Sequence, residues 1–361
     1  MRSLAGLIVL VLLAGGVYFA YTRIFCGKEA EKGSSSEGAA AERGPAPEPQ
    51  TQSEPAPEPE PETPEPQTEP AQTETQQQPE RENGEAPPQV RKSPEEDLIE
   101  IIESEPDDGV CAEKLLAALR KQKPADSVRS AAAAAGRLGA KREYLVWTLL
   151  SHAYRTSDDA EAREAWAEKM NPIVEKLFFS FREIPCCRHH TVEPGDYLST
   201  LQDRFVVPHK LIMRMNGLKK TLLRVGQRIK IPVPPKAERM RASVQVDKSE
   251  HTLSVFINGL FVKRYRVSLG AEGRTPCGSF TIREKVHHPE WQGHPYGDPE
   301  NIIGDWWLGL KGPVTGLGIH GTNDPDSIGK DVSKGCVRML NDEVDELANT
   351  VPKGSPVVIR P

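Results

Sequence analysis

The chain has 361 residues, room for two or three small domains, and a formal net charge of −6. Eleven Glu and one Arg fall between Pro45 and Val90, a net of −10, so the remainder carries +4. The rest of the chain is therefore mildly cationic with no concentrated basic stripe, which argues against nucleic acid as a partner.

Residues 3–22, SLAGLIVLVLLAGGVYFAYT, carry no charge and are long enough to cross a bilayer as a helix. A cleaved signal peptide is the rival reading. No small-x-small site clearly follows the apolar run, and Cys26 lacks a lipoprotein-type context. Residues 1–27 are accordingly read as an uncleaved signal anchor, a single N-terminal membrane helix. Residues 28–92, rich in Pro, Glu and Gln (PAPEPQTQSEPAPEPEPETPEPQTEP), cannot build a core and read as a disordered linker. Fully extended as polyproline it would reach about 190 Å, and as a flexible coil about 45 Å.

Residues 93–182 read as helical. Ser93-Pro94-Glu95-Glu96 combines an N-cap, a Pro at the first helical position and a capping-box Glu. Asp158 with Glu161 repeats the capping signal. Leu145, Leu149 and Ala153 recur at helical spacing, as do Ala162, Ala165, Trp166 and Met170. Pro124 and Asn171-Pro172 are expected to break the run. The pattern predicts four or five short helices packed as hairpins, weakly tetratricopeptide-like, with Trp147 and Trp166 in the core.

In residues 189–234 a short strand at Thr191-Val192 meets the turn Pro194-Gly195-Asp196, where Asp196 is expected to cap a helix starting near Tyr197. A second helix ends at Asn216-Gly217, and a strand follows at Arg228–Ile231. This small βααβ run resembles a LysM domain. The resemblance implies binding to N-acetylglucosamine-containing glycans, with Gly195, Asp196, Tyr197, Leu198, Asn216, Gly217 and Leu218 lining the groove.

Residues 241–361 alternate apolar and polar residues in SVQVD, LSVFI and VKRYRVSLG, which implies strands. Asn258-Gly259 between apolar runs signals a hairpin. One helix is expected at about 341–351, with Val344, Leu347, Ala348 and Val351 on one face. The expected fold is a mainly-β sandwich or barrel-like domain.

Within that domain, GIHGTNDPDSIGKDVSKGCVRMLN (318–341) puts His320 and Cys336 sixteen residues apart, each beside glycine. A thiol near a base is the minimum kit for acyl transfer through a thioester. The run His320-Gly321-Thr322 followed by Ser333-Lys334-Gly335-Cys336-Val337-Arg338 resembles the L,D-transpeptidases with a YkuD-type catalytic domain. So do TPCGSFTI (275–282) and VPKGSPVVI (351–359). The resemblance implies Cys336 as nucleophile, His320 as general base and acid, and a backbone carbonyl near the imidazole, with Gly321 the candidate. In an extended segment Lys334 and Arg338 would share the face of Cys336: Lys334 favouring the thiolate or simply solvated, Arg338 gripping a substrate carboxylate or bracing the loop. Ser333 and the amides near Gly335 and Cys336 are oxyanion or loop-shaping candidates. Asn341 is read as a helix cap.

The loop HHPEWQGHPYGD (287–298) offers Trp291 or Tyr296 for stacking, and its histidines match no standard ligand spacing, so no metal and no cofactor are expected. A disulfide from Cys111 to Cys186 or Cys187 is one option in an oxidising compartment. Together these point to a multidomain, membrane-anchored enzyme that cross-links peptidoglycan stem peptides outside the cytoplasm, in the periplasm or cell wall, with LysM holding the glycan. An L,D-carboxypeptidase resolving the same thioester with water, or a silent peptidoglycan-binding scaffold, are the alternatives.

Overall fold

The computed structural model describes residues 92–361, which belong to one compact unit. The expected membrane span, the linker and Cys26 lie outside the described residues. Among the described residues no helix is long and apolar enough to cross a membrane.

Five helices open the unit: α1 (Pro94–Ser104), α2 (Asp108–Leu119), α3 (Pro124–Leu138), α4 (Glu143–Thr156) and α5 (Ala160–Leu177). Ser93 accepts from Glu96 N while the Glu96 carboxylate accepts from Ser93 N, the reciprocal cap expected from the sequence. The cap of α5 is Asp159 rather than Asp158, and its carboxylate accepts from Ala162 N. Pro172 does not break that helix. The Pro costs one backbone hydrogen bond, but Met170, Val174 and Leu177 are buried on either side of it and hold the helix together. Helix α4 is buried on all sides from Tyr144 to Ser151, as befits the centre of a helical layer. Trp147 is fully buried there, and Trp166 packs at the core's margin.

Next come β1 (Arg188–Thr191), α6 (Leu198–Phe205), α7 (His209–Met215) and β2 (Arg228–Ile231), with β1 and β2 antiparallel, the expected βααβ order. The Asp196 side chain does not cap α6. It accepts instead from Glu193 N and pairs with His190, while the Thr200 hydroxyl accepts from Tyr197 N.

Strands β3 (Ala242–Asp247), β4 (Thr252–Ile257), β5 (Leu260–Arg266), β7 (Gly278–His287), β8 (Trp306–Lys311), β9 (Gly318–His320), β11 (Val337–Arg338) and β12 (Pro356–Arg360) form one eight-stranded sheet. Its order is β11-β9-β8-β7-β12-β3-β4-β5. Strands β6 (Leu269–Gly270) and β10 (Asp331–Ser333) make a separate parallel pair. The Asn258-Gly259 hairpin forms as its sequence dictates, with both residues at positive φ.

Of the two forms expected, a sandwich of two sheets is therefore corrected, and the barrel-like form comes nearer: the strands make one curled sheet, a half-barrel. The reason is local. Arg266 ends one edge strand, and Ser268, two residues on, exchanges both backbone hydrogen bonds with Arg338 on the opposite edge (2.9 Å each). Two residues span at most about 7 Å, so the two edges meet at this corner. Register shifts in β4–β5 and β7–β8 add the bends that such curling requires. Helix α8 (Asn341–Thr350) packs on β8 and β9, and the half-buried Lys285 ammonium of β7 donates to the Ala348 and Val351 carbonyls at its C-terminal end.

The helical layer is bolted to the outer edge of this sheet. Phe261 N donates to the Ser151 hydroxyl and Phe261 O accepts from the Trp147 indole, so α4 satisfies an edge strand that would otherwise be open. Deeper in, Asp247 accepts from Arg163 of α5 (2.7 Å) and from Arg360 of β12 (2.6 Å), all three nearly inaccessible to water. The βααβ module is seated by Lys230, whose buried ammonium donates to the Leu177 and Ser180 carbonyls past the end of α5. Arg214 on α7 adds a bridge to Glu346 on α8. The sulfurs of Cys111, Cys186 and Cys187 form no disulfide, and those of Cys186 and Cys187 lie 3.9 Å apart.

Removing one partner of a buried ion pair strands the other charge. Asp247→Ala should cost about 3–5 kcal/mol by urea denaturation, against less than about 1 kcal/mol for Lys176→Ala at a half-exposed pair. Equal small losses in both variants would show that the Asp247 cluster does not hold the helical layer to the sheet.

Candidate active site

Strand β11 lies parallel to β9, with Val337 opposite Ile319 and Arg338 opposite His320. Cys336 immediately precedes β11 and so falls beside Gly318. Paired residues share a face of a sheet, which puts His320 and Arg338 side by side, with the Cys336 thiol two residues back. Burial and strand register thus bring together the two residues that the sequence separates by sixteen.

The imidazole of His320 is buried, and its Nδ1 lies 2.7 Å from the Gly321 carbonyl. A carbonyl only accepts, so Nδ1 carries the proton and Nε2 keeps its lone pair. Gly321 is thus where the sequence placed it. Burial pulls the His320 pKa down to about 4; the Gly321 carbonyl opposes this and the Arg338 charge adds to it. Burial likewise pushes the Cys336 thiol above its usual range, with the Gly318 backbone and the Arg338 guanidinium pulling part of the way back. At neutral pH the pair is an imidazole and a thiol, both uncharged. The thiol points at the Gly316 carbonyl, 3.6 Å away.

The loop before Cys336 is shaped by Ser333, whose hydroxyl donates to Cys336 O (2.7 Å) and accepts from Gly335 N (3.0 Å). Gly335 sits at φ +136°, a conformation reserved for glycine. That turn overturns the reading of residues 334–336 as extended, while Val337 and Arg338 are strand as expected. Lys334 is exposed and is not among the charges that move the Cys336 thiol. Arg338 is the charge acting on both members of the pair, and its Nε is buried with no hydrogen-bond partner among the described residues.

Two supports escaped the sequence reading. Thr275 is fully buried; its hydroxyl accepts from Gly270 N and donates to Gly335 O, tying β6 to the Cys336 loop. A side chain at Gly270 would strike Gly335 Cα and Thr275 N at under 3 Å, so this crossing also needs glycine. Asn341 is not a helix cap. Its Oδ1 accepts from Asp305 N and Thr322 N (3.2 Å each) and its Nδ2 donates to Thr322 O, locking the loop that carries Gly321. The signal for both was available, since each lies inside a quoted motif, but which backbone groups they would reach was not.

In the βααβ module, the side chain of Leu198 is buried and the Asn216 amide is spent on Ile212 O and on both backbone groups of Lys230. Asp196 is engaged as described above. These three serve the module's own fold rather than an open groove. Gly195 and Gly217 make turns at positive φ, and Leu218 N closes the second on Met213 O. Tyr197 is 66% exposed, as are Leu222 and Val225 at 78% and 67%. Among the described residues no cluster of potential metal ligands occurs.

Comparison with known proteins gives two family matches: the L,D-transpeptidase catalytic domain of YkuD type over residues 241–359, and the LysM domain over residues 190–232. The YkuD protein of Bacillus subtilis, assigned by name to the L,D-transpeptidases, is 35% identical over 171 residues, 47% of this chain and 97% of that protein. Its Bacillus licheniformis counterpart is 34% identical over 48% of this chain and 98% of its own. YqjB of Bacillus subtilis is 38% identical over 32% and 69%.

The uncharged pair has a chemical signature. Alkylation of Cys336 by iodoacetamide should rise with pH through 9 and beyond, with no plateau near neutrality, because only the thiolate reacts. A rate that is already flat between pH 5 and 7 would mean a preformed thiolate–imidazolium pair instead.

Proposed function

Since this chain belongs to the L,D-transpeptidase family of YkuD type, we propose that it joins peptidoglycan stem peptides through a thioester on Cys336. The observation that carries the reading is the tautomer of His320: with Nδ1–H given to Gly321, the Nε2 lone pair is free to accept the Cys336 proton.

In the proposed cycle the thiol turns from Gly316 toward the imidazole and attacks the carbonyl of the third stem residue as Nε2 takes its proton. The carbonyl oxygen becomes an oxyanion. Gly335 N is already bonded to Ser333, which leaves Cys336 N as the backbone donor for it. Collapse breaks the peptide bond, and the imidazolium returns the proton to the departing amine of the terminal D-alanine. An amine from a neighbouring stem then attacks the thioester, His320 takes its proton, and the thiolate leaves and is reprotonated. The Arg338 guanidinium, with Nε unpaired, suits a bidentate grip on a stem carboxylate.

The LysM module would hold the glycan. Its seat on α5 and α8 keeps it fixed relative to Cys336 rather than swinging on a tether. The membrane anchor and linker read from residues 1–92 would place this unit outside the cytoplasm, within reach of the wall.

The test is mass spectrometry of the protein with a disaccharide-tetrapeptide, beside Cys336→Ala. A dimer lacking one D-alanine, absent in the variant, is expected. Tripeptide alone would identify a carboxypeptidase, and no Cys336-dependent product would leave a binding scaffold. Turnover should also hold steady down to pH 5 and fail as pH drops through about 4, where His320 takes up a proton and ceases to be a base.

A further inference from the structure

A cavity of about 260 Å³ opens next to the Gly321–Thr322 turn and is not used by the chemistry above. Tyr296, Asp298, Asn301, Asp305, Thr322 and Asn323 line it. It falls just below the roughly 300–1,000 Å³ of sites for drug-sized ligands, so it has room for one ring but not for a peptide.

The wall formed by Tyr296 is unusually well held for a surface residue. Its ring stacks on His288 at 3.8 Å and 18° between planes. His288 stacks on His287 at 3.6 Å, and His287 lies against Trp306 at 4.6 Å. The Trp306 indole donates to Asp345 on α8 (2.9 Å), and Lys210 of the LysM module comes within 3.8 Å of the same carboxylate. The stack therefore runs from the helix on which LysM is seated to the cavity by His320. With one face taken by His288, Tyr296 is left to present the other to the cavity. Its hydroxyl donates to Asp305 (3.0 Å), which fixes both groups.

The polar lining is rich in acceptors. A carboxylate has about four acceptor positions. Tyr296 occupies one on Asp305, and His294 and Glu300 N occupy two on Asp298. A pyranose supplies what such a pocket lacks: a face of C–H groups for the electron-rich ring and a rim of hydroxyl donors for the carboxylates.

We propose that this cavity binds a sugar ring of the glycan strand, a second saccharide site within the catalytic domain, separate from LysM. The inference rests on the stem-peptide reading of Cys336, because stems hang from glycan. The dimensions agree: three stem residues span at most about 10 Å, and Thr322 is at most about 7 Å along the chain from His320.

Two measurements on the full chain separate this proposal from the reading beneath it. The first follows the Tyr296 and His288 ring signals by NMR during titration with a stem-free N-acetylglucosamine tetrasaccharide, and does not depend on turnover. Saturable shifts of both rings are expected in the wild type, with the His288 shift lost in Tyr296→Ala. Unmoved rings overturn the proposal, as do rings moved by a simple amine such as lysine amide but not by the sugar, which would make the cavity a cation site. The second compares KM for a disaccharide-tetrapeptide and for the bare tetrapeptide. The wild type should favour the sugar-bearing substrate by about fivefold. Tyr296→Ala should lose that preference, and Tyr296→Phe should keep it. If neither substrate turns over in the wild type while the rings still shift, the transpeptidase reading fails and the sugar site stands.

Discussion

The arrangement around Cys336 depends on two backbone hydrogen bonds between Ser268 and Arg338. They join the ends of an eight-stranded sheet, turn it into a half-barrel, and give strand β11 a partner on its outer side. Without them β11 would be a two-residue edge strand, too short to fix a side chain. Glycine is required where this seam is tightest. Gly270 crosses Gly335 at a distance that excludes any Cβ, and Thr275 fills the gap with a single hydroxyl bonded to strand β6 and to the Cys336 loop. The loop carrying the thiol is thereby fixed from two directions, by Thr275 outside and Ser333 inside.

Burial then sets the electrostatics. Both His320 and Cys336 are shifted toward their neutral forms, and among the described residues the cation acting on both, Arg338, favours the thiolate and disfavours the imidazolium. The pair at rest is thus a neutral thiol beside a neutral imidazole. That resting state costs some nucleophilicity, but a neutral thiol is also less exposed to adventitious alkylation and oxidation.

The helical layer is more than a spacer before the LysM module. Its α4 helix satisfies the backbone of edge strand β5, and Arg163 supplies one of the two guanidiniums that neutralise the buried Asp247. Since Asp247 also holds Arg360 near the C-terminal end, the first and last parts of the described chain are joined at one carboxylate. Through Lys230 and Arg214 the LysM module is fixed to the same body.

Much of this was legible in the sequence. The Asn258-Gly259 turn, the Ser93 capping box, the βααβ order and the proximity of His320 to Cys336 follow from local preferences or from a motif whose residues act together. The errors have a common origin. Pro172 and Asp196 were assigned by local rules that packing and a competing partner, His190, overrode. Lys334 was placed by assuming extension where Gly335 turns the chain, and Asn341 was read as a cap when loop backbone offered better-placed donors. The sequence by itself determined which groups make up the candidate site and which turns must be glycine, because those are properties of single residues and near neighbours. Only the tertiary structure decided that the sheet closes on itself, that Asn341 and Thr275 brace the site, and that three modules share one rigid frame. Each of these depends on contacts between residues tens to hundreds of positions apart, and no local pattern encodes such contacts.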